Sequence, residues 1–159
     1  MADSPRPLTA KQLERLNARS TGTIIKWMSR LQTLVFKTTN GKFGNKFLRG
    51  AEVGILTTIG RKSGEPRDIP LLYLQEGRRI VLVASQGGRA TDPMWYRNLL
   101  ANPKVRFQTK SEKLVLVARD ATDAERDEYW PKLDAMYPDF ANYRSYTDRK
   151  IPIVICDPA

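Results

Sequence analysis

The sequence predicts a mainly β (α+β) fold: a small, closed or partly closed barrel of about six antiparallel strands with helical insertions, preceded by an amphipathic helix. Three observations predict it. Short β-rich runs follow one another from Val53 onward, helix-start signals interrupt them twice, and the segment ahead of them carries apolar residues at helical spacing. Closure suits such a meander because it removes edge strands that would otherwise lie open.

In the N-terminal element, Ile24, Trp27, Met28, Leu31, Leu34 and Val35 recur every three or four residues, while Lys26, Arg30, Thr33 and Lys37 fall on the opposite side of a 3.6-residue helix. This pattern fits a core-packing helix with a solvated face. The tryptophan and the basic residues also suit an interfacial helix resting on anionic lipid or helping to wall a site. Lys37 to Gly50 holds three glycines, two asparagines and four basic residues and reads as a mobile loop.

The expected strands are Val53 to Ile59, Asp68 to Gln75, Arg79 to Ser85, Lys104 to Thr109, Glu112 to Ala118 and Ile151 to Cys156. Asp92-Pro93 places an N-cap before a proline at the first helical position and starts a helix through Leu100. Thr122-x-x-Glu125 is a capping box that opens a second helix. Pro131 and Pro138 are expected to break that second region, with a further short helix over Tyr137 to Tyr146. Residues 1–50 thus form a basic N-terminal segment and residues 51–159 the barrel.

Composition excludes several chemistries. A chain of 159 residues is one domain's worth, long enough to bury roughly 70% of its unfolded surface. Its one cysteine, Cys156, rules out an internal disulfide, and the absence of histidine rules out Ser-His-Asp or Cys-His catalysis and ordinary zinc sites, so no metal is expected. No run of about 18 apolar residues exists to span a bilayer, and the polar start from Met1 to Pro7 lacks the layout of a secretory signal. The expectation is a cytoplasmic protein, soluble or peripheral on the inner face of the plasma membrane.

The net charge of +10 is uneven: residues 1–50 hold ten basic and two acidic side chains, and the other 109 residues hold 17 and 15. Basicity therefore belongs to the N-terminal third, and a nucleic-acid-binding surface over the whole chain is not expected.

Neither G-x-G-x-x-G opening a helix nor G-x-x-x-x-G-K-[ST] is present, which argues against Rossmann and P-loop enzymes. The connection from Gly60 to Arg67 instead sets Arg61, Lys62 and Arg67 around two glycines. Such a turn presents amides and cations together to a phosphate, or is a solvated hairpin loop partly neutralised by Glu65 and Asp68. Ala84-Ser85-Gln86-Gly87-Gly88 follows the most apolar strand and lets backbone approach a flat ligand, or serves as a flexible connection. Met94, Trp95 and Tyr96 then open the next helix, where core packing is the plain role. Tyr137, Phe140, Tyr143 and Tyr146 recur every third residue and so share one helical side; they either stack on a planar substrate or cap the barrel mouth.

Taken together, Gly54 to Arg67, Pro70-Leu-Leu-Tyr73, Ala84-Ser-x-Gly-Gly88, Asp92-Pro-Met-Trp-Tyr96-x-Asn98-Leu and Asn102-Pro resemble the deazaflavin-dependent nitroreductase family of actinobacteria. Ala118 to Asp123, Glu128-Tyr-Trp-Pro131, Met136-Tyr-Pro138 and Ile151-Pro-Ile-Val extend the resemblance from about Lys26 to the C-terminus. It implies a split β-barrel that binds coenzyme F(420), a deazaflavin with a phosphate and an acidic oligoglutamate tail. Carried over by position, Arg61, Lys62 and Arg67 clamp the phosphate, and Pro70, Ala84, Ser85, Gln86, Met94, Trp95 and Asn98 line the ring. Trp27, Leu72, Tyr137, Phe140 and Tyr143 flank the acceptor, and Ser85, Tyr143 or water delivers its proton.

The implied activity is hydride transfer from the reduced deazaflavin to a planar acceptor, a quinone such as menaquinone, a nitroaromatic or an enone. Gln86 stands where many relatives carry lysine, which weakens one expected cationic contact to the cofactor. Leu72 and Phe140 stand where nitroimidazole-activating relatives tend to carry tyrosine, which argues against nitroimidazole activation and leaves a flat, hydrocarbon-rich acceptor. An FMN enzyme of similar fold and a non-catalytic basic module for membrane or nucleic acid are the alternatives.

Overall fold

The computed structural model describes residues 8–43 and 51–159. Two helices lead. Thr9 and Gln12 form a capping box at the start of α1 (Ala10–Asn17), and the extended backbone of Ala18 separates it from α2 (Arg19–Thr38). A short turn follows to Phe43; the rest of the loop expected up to Gly50 lies outside the described residues.

Seven strands form one antiparallel sheet: β1 (Val53–Ile59), β2 (Pro66–Leu72), β3 (Leu74–Glu76), β4 (Arg79–Val83), β5 (Lys104–Gln108), β6 (Lys113–Asp120) and β7 (Ile153–Pro158). Their order across the sheet is β2-β1-β5-β6-β7-β4-β3. The end strands β2 and β3 are consecutive in the chain, separated by Tyr73 alone, so the sheet wraps until its two ends adjoin. No hydrogen-bonded ladder joins them, and the barrel is split rather than closed.

One strand was expected over Asp68 to Gln75, and the structure has two, because β2 pairs with β1 and β3 pairs with β4. Tyr73 makes the crossing. Its ring meets Phe107 edge-on at 5.1 Å, and its hydroxyl donates to the Glu52 carboxylate at 3.1 Å. A buried ring thereby anchors the seam without leaving its polar tip unpaired.

Strand alternation sorts side chains into two cores. Ile80 and Leu82 of β4 and Val154 and Cys156 of β7 point into the barrel with Leu56, Phe107 and Leu116. There they meet Trp95, Tyr96 and Leu99 of α3 (Met94–Ala101). Cys156 is fully buried, which pushes its thiol up to about 12. Val81, Val83, Ile153 and Ile155 point outward and are covered by α4 (Asp123–Met136) and α5 (Asp139–Ser145). Fully burying such a side chain stabilises by roughly 1.5–3 kcal/mol.

Helix boundaries depart from expectation twice. Pro93, not Asp92, occupies the N-cap of α3, because the Asp92 carboxylate is drawn to Arg149 at 2.8 Å. The Thr122–Glu125 capping box forms, but α4 runs through Pro131 and ends only before Pro138. Proline costs one backbone hydrogen bond there, and the buried anchors Tyr129 and Leu133 on either side hold the helix through it.

The helix α2 packs against β2, yet its apolar stripe faces solvent. Trp27 is 66% exposed and Leu31 64%, with Ile24, Met28 and Leu34 alongside. The covered side carries Gly22, Ser29, Gln32, Thr33 and the fully buried Phe36. The core-packing expectation thus fails: the polar flank is inward. An ion pair from Lys37 to Asp68 pins the helix to β2. No helix among the described residues is long and apolar enough to cross a membrane.

Candidate functional site

Three pieces of chain supply the expected site residues. In the β1–β2 turn, Gly60 N–H donates to Glu65 O and Gly64 N–H to Gly60 O, both at 2.8 Å. Gly64 adopts φ +72°, which favours glycine. Ser63 Oγ accepts from the Glu65 amide at 3.2 Å and from Arg67 Nη2 at 3.3 Å, folding the Arg67 side chain onto the turn.

Asn98 ties this turn to α3. Its Oδ1 accepts from the Arg61 amide at 3.2 Å, and its Nδ2 donates to Thr58 Oγ1 at 3.3 Å. Arg61 Nη1 lies 4.0 Å from Met94 Sδ. The structure therefore brings Arg61 into contact with Met94 and Asn98, with Lys62 on the same turn and the Arg67 side chain folded back onto it from β2.

Among the described residues no carboxylate pairs with Arg61, Lys62 or Arg67. The neutralisation weighed for Asp68 does not occur: that carboxylate belongs to Lys37 and also accepts from Thr57. Burial is the largest single influence on its pKa and raises it, but the bonds to Lys37 and Thr57 and the charges of Lys37 and Arg106 together outweigh burial and draw it below the usual range.

The second piece ends β4. Ala84 and Ser85 are buried, and Ala84 shares the barrel core with Trp95. Gln86, Gly87 and Gly88 follow, all with positive φ (48°, 65° and 80°). For a non-glycine residue such as Gln86 this conformation costs roughly 1–2 kcal/mol. A Cβ at Gly88 would lie 2.8 Å from the Tyr143 carbonyl, so only glycine lets α5 approach this closely. Ser85 Oγ makes no hydrogen bond among the described residues.

The third piece is aromatic. Tyr137 meets Phe140 edge-on at 5.1 Å, and Tyr143 lies 6.2 Å from Tyr137 and 6.3 Å from Phe140. Tyr137 and Phe140 are buried in the outer core, with Leu72 packed against that cluster, so of the four rings only Tyr143 and Tyr146 retain partial exposure. Tyr143 Oη is 3.3 Å from Tyr137 Oη. Burial first, and that hydrogen bond second, push the Tyr143 phenol above its ordinary value, which keeps it protonated.

Other expected residues stand apart. Pro70 lies on β2 opposite Ile55. Trp27 projects from the outward face of α2 with the Arg30 guanidinium over its ring at 5.6 Å. A hollow of about 450 Å³ is lined instead by Thr57, Ile59, Lys104, Arg106 and Val115 of β1, β5 and β6. No group of three or more potential metal ligands exists among the described residues.

Two arginines emerge that sequence reading missed. Arg149 reaches the 84–92 stretch, and Arg89 Nη2 donates to the carbonyls of Asn17 at 3.3 Å and Ala18 at 3.5 Å at the end of α1. Asn17 answers by accepting from the Ala90 amide at 2.8 Å. Neither arginine belongs to a local motif; only long-range contacts mark them.

A split barrel whose β1–β2 connection carries Arg61, Lys62 and Arg67 without carboxylate partners among the described residues suits a protein that binds a phosphate-bearing ligand. Comparison with known proteins narrows this. The family model described as F420H(2)-dependent quinone reductase matches residues 27–158, and the chain belongs to that family. A Mycobacterium tuberculosis protein bearing the same name is 31% identical over 129 residues, 79% of this chain and 87% of its own. A second, given the name provisionally, is 36% identical over 117 residues, 74% of this chain and 98% of its own.

Among solved structures, one described as an F(420)-H2 dependent reductase is 38% identical, with a TM-score of 0.62 over 66% of this chain and 93% of that one. Another, described as a domain-swapped dimer, is 34% identical, with a TM-score of 0.65 over 83% and 98%. The protein is an oxidoreductase that uses coenzyme F(420) to reduce quinones.

Proposed function

We propose that the physiological acceptor is a membrane quinone of the menaquinone class and that the cofactor lies between the β1–β2 turn and the bend at Ser85–Gly88. The observation that carries the placement is the set of three cations, Arg61 and Lys62 on the turn that Asn98 fixes against α3 and Arg67 at the start of β2, without carboxylate partners among the described residues. A phosphate-bearing, polyanionic cofactor supplies the missing counter-charge through charge-assisted hydrogen bonds.

When reduced, coenzyme F(420) supplies a hydride and resists one-electron chemistry. The chain's own residues do the rest. Met94 and Asn98, beside the cationic turn, and Ala84, Ser85 and Gln86, on the bend, would wall the ring, with Trp95 packed against Ala84 in the barrel core. With no histidine, the proton for the acceptor comes from Ser85, Tyr143 or water: Ser85 Oγ has no hydrogen-bond partner among the described residues, and Tyr143 is held protonated. The partly exposed Leu72 and Tyr143 are suited to contact a flat quinone, with Tyr137 and Phe140 buried behind Tyr143.

The outward stripe of α2, with Trp27 at its centre and Lys26 and Arg30 beside it, supports peripheral contact with an anionic bilayer, where such a quinone resides.

The test is an anaerobic assay of the reduced cofactor against menaquinone, nitroimidazole and enone acceptors, following cofactor reoxidation. Menaquinone should turn over fastest; preferential turnover of a nitroimidazole overturns the acceptor assignment. Arg61→Ala and Lys62→Ala should each weaken cofactor binding, and unchanged affinity in both rejects the cationic clamp.

A further inference from the structure

The bend at 85–88 is an improbable shape for its sequence. Three consecutive residues are left-handed, one of them Gln86, and within the bend the backbone closes only two bonds, Gly88 N–H to Ser85 O at 2.9 Å and Arg89 N–H to Gln86 O at 3.3 Å. A conformation of this kind persists only where surrounding structure imposes it.

α5 packs against Gly88 and Asn17 holds the Ala90 amide, but a single guanidinium reaches both ends of the bend. Arg149 Nη1 donates to Ala84 O at 3.1 Å and Nη2 to Ser85 O at 2.8 Å, both on the entering side of the bend. Arg149 Nε donates to Arg89 O at 3.1 Å, and Nη1 also meets Asp92 Oδ1 at 2.8 Å, both on the leaving side. One planar fork therefore clasps the two ends of the bend across the left-handed residues. The side chain is only 12% exposed. A lysine ammonium is a single point of donation and does not span the same four acceptors.

We propose that Arg149 is a positioning residue: by clasping Ala84, Ser85, Arg89 and Asp92 it sets the bend that presents Ser85 and Gln86 to the cofactor. The inference rests on the placement of the cofactor against this bend. Arg149 itself aims its donors at backbone and at Asp92, so its effect on binding is exerted through the loop. Asp92 serves the same clasp, which explains why it does not cap α3.

The test compares native protein, Arg149→Met, Arg149→Lys, Asp92→Asn and Arg61→Ala. Affinity for the oxidised cofactor is measured by fluorescence titration, amide hydrogen exchange is measured without cofactor, and thermal unfolding is recorded for each. Arg149→Met should weaken cofactor binding at least tenfold and speed exchange at residues 86–89 at least tenfold, leaving β5 and β6 unchanged. Arg149→Lys should recover only part of the affinity, and Asp92→Asn should fall between Lys and native.

A merely structural arginine would lower the unfolding midpoint and leave the affinity of the folded protein untouched; that result overturns the proposal. If Arg149→Met binds normally while Arg61→Ala binds weakly, the cofactor site stands and the role of Arg149 falls. If both bind normally, the placement of the cofactor itself falls. Should Arg149→Met not fold, native affinity in Arg149→Lys is the overturning result.

Discussion

The helices α2 and α4 both lie on the outside of the barrel and treat it in opposite ways. Along α4, Tyr129 and Leu133 are buried against Val81 and Ile155, and the Tyr129 hydroxyl donates to Glu76 at 2.9 Å and accepts from Arg79 at 3.2 Å. Along α2, the apolar stripe points away from the barrel, and the helix is held by polar and ionic contacts and by Phe36. Amphipathicity thus fixes two faces of a helix without saying which turns inward. A helix that leaves its apolar face in water gives up the stabilisation that α4 collects, so its pattern answers to something other than folding.

Substitutions on the two helices should therefore separate stability from function. Leu133→Ala should lower the free energy of unfolding in urea by about 3 kcal/mol, since it opens a cavity where no side chain is free to collapse. A loss below about 1 kcal/mol would show that α4 does not anchor the outer core. Thr122→Ala removes the cap of the same helix and should cost about 1 kcal/mol in the same measurement.

Acid should act next, through the carboxylate in that cap. The Arg119 guanidinium and the Thr122 amide hold Glu125 at about 2, below its ordinary 4.5. A folded-state value below the unfolded one means that the contribution is fully present above pH 4.5 and disappears as pH falls toward 2. Glu125→Gln should remove this part of the melting-temperature slope between pH 5 and 2, and an unchanged slope would refute the assignment.

The smallest effect on stability belongs to α2. Leu31→Ser should shift unfolding by no more than about 0.5 kcal/mol, because its side chain is already in water. The same substitution should reduce sedimentation with anionic vesicles several-fold. A large loss of stability would mean that this face is covered in solution.

The order of β-runs and the Thr122 capping box were legible in the sequence because alternation and capping are local. The split of Asp68–Gln75 was not, since whether β2 and β3 pair with β1 or with β4 is decided by partners distant in sequence. The charge cluster at Arg61, Lys62 and Arg67 was visible as residue types, and its unpaired state depended on Lys37 taking Asp68 from another element. The aromatic period at Tyr137, Phe140, Tyr143 and Tyr146 was real, but two of the four rings serve the outer core. Arg149 was hidden altogether, because a guanidinium that binds backbone carbonyls carries no signature in its neighbours.

The solitary thiol has a practical corollary. Cys156 is sealed inside the barrel and pushed up to about 12, so alkylating reagents should pass it by while the chain is folded. A cysteine placed at position 28 or 31 would then be the one reactive handle, and a polarity-sensitive dye attached there would report directly on what that helix touches.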